Sequence, residues 1–337
     1  EFDEGVTIEN GGFIINKDPV VNEDINFNDT NPNISGTTLV GESTEDSVIN
    51  SIDSKVDTVR RLPELRSYTL PLFPEFPEES SLTDEGDVTI DASTPSSNRI
   101  ITEDSNFDTL NITDDQNLTI RVAEEDMNIR INTLNLNGGR ILVTNAGDTL
   151  GKVNLYVEDE INFETGTDSS IEFGEFSGEL ENDKDATSLR QHLIIYYAGS
   201  VDLNLNGVDQ YVVGDIYSRM ANVNLSGTAN LYGYLISGGQ EVNIDGGAVS
   251  FYQQSSNADP LNSNQFPRLI YAPQSEVRLS SPNRNNPDKI TGTVLGREIV
   301  VGPNFNLVYF RSNVSSTDLD FQGGRKYTNI IWGQDDE

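Results

Sequence analysis

From Gly86 onward, apolar and polar residues alternate with a period of two. The runs "FDTLNI", "NLTIRV", "MNIRINTLNLNGG", "RILVTN", "KVNLYVEDEINFETG" and "SIEFGEF" follow one another with no helical spacing between them. Alternation of this kind places one set of side chains on one face of a strand and the other set on the opposite face. Gly, Asn and Asp close most runs, as turns require. The first 42 residues read the same way in shorter pieces: "GVTIEN", "GGFIIN", "EDINFND" and "NPNISGTTLVG". The polar stretch Gly178–Gln191 breaks the rhythm and predicts a loop.

The alternation becomes a repeat in the second half of the chain. With a shift of 19 residues, Ile216 falls on Leu235, Val223 on Val242, Asn224 on Asn243, Leu225 on Ile244 and Gly227 on Gly246. A third copy, "RLIYAPQSEVRLSS", aligns at a shift of 54. A fourth, "GTVLGREIVVGP", puts Gly292 where Gly214 stands and then runs two residues short. An earlier copy, "LIIYYAGSVDLNLNG", precedes them. A unit this short cannot bury a face by itself, but it can when stacked on a copy of itself, strand on strand at about 4.8 Å. Val223 and Leu225 then point inward onto Val242 and Ile244. Asn222 and Asn224 point outward, or ladder with like residues where a corner turns inward. Gly214, Gly227, Gly233 and Gly246 sit where the chain must bend, which predicts positive φ there. The expected architecture is all-β, a parallel β-helix (β-solenoid) of about 19-residue turns. A β-sandwich or barrel is the competing fold.

Two segments depart from the strand pattern. In Ser43–Leu62, Val48, Ile52, Val56 and Val59 recur at helical spacing and predict one short amphipathic helix. "LPELRSYTLPLFPEFPEES" (Leu62–Ser80) then carries Pro63, Pro71, Pro74 and Pro77, which remove backbone donors and favour extended geometry. Leu70, Leu72, Phe73 and Phe76 make it too apolar for a free linker, so it predicts a strap lying along the protein. The chain therefore divides into an acidic N-terminal strand cluster (1–42), the helix and strap (43–85), the solenoid (86–311) and a C-terminal cap or tail (312–337).

Charge narrows the choice of partners. The formal net charge is -34, and the first 189 residues hold 41 acidic against 11 basic side chains. Lys is scarce, with six against 15 Arg. Hydrated carboxylates with little Lys suit a saline medium, where salt screens self-repulsion. Nucleic acid and anionic lipid surfaces would be repelled, because no Lys/Arg stripe displaces their counterions. No apolar run is long enough to span a membrane, and no basic-then-apolar leader opens the chain as given. The absence of cysteine excludes disulfides, thiolate metal sites and a Cys nucleophile.

Candidate chemistry is sparse. His192 is the single histidine, so multi-His metal sites are excluded within one chain, and it reads as a strand-start residue rather than a base. Carboxylates are too many to single out an acid/base pair, and no enzyme activity is expected. Hard oxygen ligands for Ca²⁺ cluster in "ENDKD", where Glu181, Asp183 and Asp185 form a candidate site, and also in "TDDQN" and "AEEDMN". Solvated turns are the alternative for all three. Six Asn-x-Ser/Thr sequons, at Asn28, Asn33, Asn111, Asn117, Asn224 and Asn313, are candidate glycosylation positions. The tyrosines crowding the repeats either pack on core layers or stack on sugars.

The phrases "LIYAPQSEVRLS" and "ITGTVLGREIVVG", together with "GDIYS" and "ANVNLSGTANLYG", resemble the C-terminal β-solenoid of large pilin-like proteins that accompany type IV pili. The strap, placed between an N-terminal strand cluster and the repeats, is similar too. The resemblance covers most of Leu62–Arg311 by pattern more than identity. It implies an extracellular, pilus-associated or cell-surface role in attachment or assembly, with other surface subunits, further copies of the chain or glycans as partners. Two departures stand out: the chain as given has no hydrophobic anchoring helix, and its charge disfavours DNA capture. A polysaccharide-binding or -cleaving β-helix, as on a virus surface, is a second expectation. A cation-dependent surface-layer component of a halophile is a third.

Overall fold

The computed structural model describes residues 69–94, 99–145, 151–164, 168–173, 192–206, 210–227, 229–245 and 268–280. It also describes the helical backbone at residues 46 and 50, and the strand backbone of 6–8, 14–15, 25–27, 33–40, 56–61, 288–301 and 305–308. The N-terminal strands are β1 (Val6–Ile8), β2 (Ile14–Ile15), β3 (Ile25–Phe27), β4 (Asn33–Val40) and β5 (Val56–Arg61). After a single 3-10 turn, Glu79–Ser81, come β6 (Thr83–Ile90), β7 (Arg99–Ile101), β8 (Ser105–Thr113), β9 (Asn117–Val122), β10 (Met127–Asn137), β11 (Arg140–Asn145), β12 (Val153–Phe163) and β13 (Ser170–Phe173). The repeats supply β14 (Leu193–Tyr197), β15 (Leu203–Leu205), β16 (Tyr211–Val213), β17 (Asp215–Ser218), β18 (Val223–Ser226), β19 (Asn230–Tyr232), β20 (Leu235–Ser237) and β21 (Glu241–Asp245). Then follow β22 (Arg268–Ser280), β23 (Asp288–Val301) and β24 (Phe305–Val308).

The protein is all-β, and its strands pair in parallel. Among the described residues the one antiparallel contact is an isolated bridge between Thr113 and Gly138. A 15-stranded sheet contains the path β14-β17-β20-β22-β21-β18-β15-β12-β10-β8-β6, a six-stranded sheet runs β19-β16-β13-β11-β9-β7, and a small sheet runs β2-β4-β5. Within the large sheet, eight strands from β14 round to β12 close a ring of parallel pairings, because β12 also pairs with β14. Two members of that ring each hold two neighbours. Strand β12 meets β14 along Val153–Val157 and β15 at Asn162. Strand β22 meets β20 at Ile270 and Tyr271, and β21 along Glu276–Ser280.

Registers follow the sequence repeat. Val223 lies on Val242 and Leu225 on Ile244, all four buried. The third and fourth copies join the same columns, with Leu235 on Ile270 and Ile270 on Val294. The fourth copy's missing residues appear as a register shift between Ala272 and Glu276. One apolar column of the core is therefore Leu155, Ile195, Ile216, Leu235 and Ile270, each at most 2% exposed. The six-stranded sheet contributes Leu118, Ile141, Ile171, Val212 and Leu231 to the same core. β-branched and leucine side chains suit these flat parallel layers, where each packs on its like in the next strand.

The structure revises three expectations. The 19-residue step is local: 19 residues separate Asn224 from Asn243, but 24 separate Asn111 from Asn135 and 27 separate Asn135 from Asn162. Longer steps carry extra residues between strands while the paired positions stay in register. The expected helix over Ser43–Leu62 is cut short. Asp46 and Asn50 have helical backbone, but Val56–Arg61 is strand β5, paired in parallel with β4. Val56 and Val59 are β-branched, and a partner strand outweighs their helical spacing. Of the four glycines expected at positive φ, Gly227 is left-handed at +68°. Gly233 is needed for a different reason: a Cβ there would run into the Gly214 carbonyl oxygen of the strand below. Gly214 is likewise a close-approach position, against Leu193, and Gly246 lies outside the described residues.

Candidate functional site

Residues that alternate with the inward columns form two contrasting outer faces on the large sheet. The first face is aromatic. Arg130, Tyr156, Tyr196, Tyr217, Ile236 and Tyr271 fall in one register column across six successive strands. The proline-rich strap lies on this column and crosses the strands. Leu70, Phe73 and Phe76 pack against Tyr156, Ile194, Tyr196, Tyr217 and Ile236. Phe73 meets Tyr217 edge-on at 5.0 Å, Phe76 meets Tyr156 at 5.0 Å, and Tyr156 stacks on Tyr196 at 5.1 Å. The Arg219 guanidinium sits 5.7 Å above the Phe73 ring.

Polar groups fasten the strap along its length. Tyr271 donates its hydroxyl to the Thr69 carbonyl at 2.8 Å, and Tyr217 donates to the Pro71 carbonyl. Arg130 donates to the Pro77 carbonyl at 3.1 Å and pairs with Glu79 at 3.0 Å and with Glu158. The strap thus runs from β22 back to β10. Five strand spacings of about 4.8 Å make roughly 24 Å. Thr69 to Pro77 in polyproline geometry spans about 25 Å at about 3.1 Å per residue. The match lets each anchor reach its own strand. Proline supplies carbonyls without N–H groups, so the strap accepts bonds from the sheet's side chains and leaves few donors to satisfy.

The second face is amide. Thr89, Asn111, Asn135, Asn162, Asn204, Asn224 and Asn243 form one register column. Asn135 donates its Nδ2 to Asn111 Oδ1 at 2.7 Å, Asn162 to Asn135 at 2.8 Å, Asn224 to Asn204 at 2.7 Å and Asn243 to Asn224 at 2.9 Å. Asn111 donates to Thr89 Oγ1 at 3.3 Å, and Asn204 turns to the Asp202 carbonyl at 3.0 Å. The column is half-buried to exposed throughout. Asparagine suits this position because its amide carries both donor and acceptor, so identical side chains link head to tail. At the corners, where strand pairing stops, side chains take over the backbone's bonds. Asp104 accepts from Asn128 N, Asp126 from Lys152 N and Asp215 from Tyr234 N.

Of the sequence-derived site residues, Glu181, Asp183 and Asp185 lie outside the described residues, as do Asn28 and Asn313. Asn33 begins β4. Asn111 and Asn224 are members of the amide ladder, each with Nδ2 already donating. Asn117 opens β9, with its Oδ1 buried and unpartnered. His192 stands just before β14, where its Nδ1 bonds the Gly151 carbonyl at 3.1 Å. Burial pushes its imidazole below the ordinary value. Among the described residues, no group of three or more His, Asp or Glu side chains is arranged to hold a metal ion, and no helix is long and apolar enough to cross a membrane.

The repeats' tyrosines are mostly interior. Tyr196, Tyr197, Tyr217 and Tyr234 are buried. Burial, and then neighbouring Glu160 and Asp202, pushes Tyr197 up to about 12. Burial and Glu172 do the same to Tyr211, also to about 12. Glu172 is itself buried and accepts from Ser170 Oγ at 3.0 Å and from the Tyr211 hydroxyl at 3.0 Å. Sequence reasoning did not single out Glu172; only its position beside two hydroxyls distinguishes it from the many other carboxylates. Compared with known proteins, the chain matches no family model, no curated protein and no solved structure.

Proposed function

We propose that the chain is a β-solenoid serving as a non-enzymatic, extracellular structural or adhesive protein, a pilin-like or surface-filament subunit for attachment or assembly. The eight-strand ring of pairings is then the trace of a coil rather than of a closed barrel. What supports this is that β14 and β15 both lie along β12, at Val153–Val157 and Asn162, on the side opposite β10. A barrel strand has one neighbour on each side, whereas a long strand that covers two short ones in the next turn has this pattern. The pairs β17/β18 and β20/β21 repeat it one and two turns on.

The observation that carries the functional reading is the long polar outer face, continuous across successive strands and fastened from behind by the strap. A stack of this kind is a rigid spacer with one repeating surface, which suits attachment better than turnover. In this reading the excess carboxylates keep the surface hydrated in salt, and Ca²⁺ at Glu181, Asp183 and Asp185 adds rigidity. Small-angle scattering tests the coil: an elongated particle is expected, and a compact one overturns it. Protease shaving of intact source cells tests the role. Loss of the protein together with loss of attachment is expected; a protected protein, or unchanged attachment after its removal, overturns it.

A further inference from the structure

The two outer faces of the large sheet differ in what they leave available. The aromatic column is covered by the strap. The amide column is open, with Asn162, Asp202, Asn206, Glu241 and Asp245 exposed on or beside it. We propose that this asparagine face binds a neutral, hydroxyl-rich polysaccharide laid along the column. The proposal rests on the attachment reading for its setting and names the partner of that surface.

Each ladder amide spends one N–H on its neighbour and accepts one N–H in return. One N–H and one oxygen lone pair remain directed outward. Successive strands repeat this pair at about 4.8 Å. Sugar hydroxyls both donate and accept, so they satisfy such a row without regard to direction. The ladder bonds also hold the side chains in place before any ligand arrives, which lowers the rotamer entropy lost on binding. Flanking positions continue the chemistry: Thr109 and Thr133 share one neighbouring column, half-buried beside the ladder.

Charge selects among polymers. Glu160, Asp202, Glu241 and Asp245 border the ladder, and the first basic side chain in its column is Arg278, in register with Asn243. Uronate polymers and nucleic acids would meet carboxylates along most of the face. Recognition without aromatic stacking is weak for a single sugar. It gains strength through repetition along a polymer.

Sedimentation of the full chain with suspended cellulose, chitin and mannan tests the proposal, with polygalacturonate as the charged control. Retention on at least one neutral polymer and none on polygalacturonate is expected. The variant Asn135→Ala/Asn204→Ala/Asn224→Ala should lower the retained fraction at least about tenfold, the loss of several hydrogen bonds at once. A second variant, Thr109→Leu/Thr133→Leu, leaves the ladder intact and removes the flanking hydroxyls. It should lower retention severalfold with an unchanged thermal midpoint, and it decides the matter if the triple variant does not fold. Retention on none of the neutral polymers, equal retention on polygalacturonate, or undiminished retention by the folded variants overturns the proposal. Failure of the attachment reading looks different: binding persists in the tube while cells lacking the protein attach unchanged.

Discussion

The aromatic face and the asparagine face are built on the same strands, in the same registers, yet one is covered and the other is not. On the aromatic face, Tyr156, Tyr196 and Tyr217 present flat rings whose burial is favourable only if something lies on them. The strap meets that need, and its carbonyls take the hydroxyl protons of Tyr217 and Tyr271. On the other face, the amides satisfy one another from strand to strand and need no cover. Parallel stacking repeats whatever chemistry a column contains. An apolar column therefore creates a surface that must be buried, and an amide column creates one that tolerates water.

The largest test of this contrast is to loosen the strap. Phe73→Ala removes the ring that meets both Tyr196 and Tyr217. A loss of about 3 kcal/mol is expected, as for other large aromatic truncations, read from urea unfolding at constant slope. A loss under about 1 kcal/mol would mean that the strap rests on the tyrosines without being held by them.

Alkali reaches the tyrosines without mutation. Tyr196 is raised by burial, and Tyr197 and Tyr211 are raised to about 12. The folded state holds these protons more tightly than the unfolded chain, whose tyrosines titrate near about 10. Their contribution is therefore complete below about pH 10 and lost as the pH rises through about 12. Stability measured across this range should fall, while the amide ladder, which has nothing to titrate there, contributes no slope. A flat profile to pH 12 would contradict the burial of these hydroxyls.

A smaller effect is expected on the open face. Asn135→Ala breaks the bond to Asn111 and the one from Asn162. Because water replaces both partners at a half-exposed site, about 1 kcal/mol is expected, measured against an exposed control such as Asn137→Ala. The smallest effect sharpens the comparison from the other side. Tyr196 has a buried hydroxyl without a partner. Tyr196→Phe should change stability by less than about 1 kcal/mol, and in the stabilising direction. A clear destabilisation would reveal a bond to that hydroxyl.

Much of this fold could be read along the chain because stacked parallel strands turn sequence position into space. Val223 falling on Val242 by a shift of 19 is also a physical contact. The strap was legible in another way: Pro71, Pro74 and Pro77 with Leu70, Phe73 and Phe76 describe an extended apolar segment. Helical spacing at Val56 and Val59 misled, because periodicity cannot register a partner strand such as β4, distant in sequence. The amide ladder was half legible. Asn recurs in "LNL", "VNL" and "VNI", but Asn111, Asn135 and Asn162 lie outside the 19-residue repeat, and only the longer steps between strands bring them into the same column.

By itself, then, the sequence determined the strand class, the inward columns, the acidic exterior and an extended strap. Each of these depends on local alternation or composition, which act within a few residues. Tertiary structure alone decided which face the strap covers, which asparagines stand one above another and which carboxylate, Glu172, is enclosed by hydroxyls. Those outcomes depend on steps between strands that range from 19 to 35 residues. Insertions vary freely at that scale, and only backbone pairing fixes what meets what.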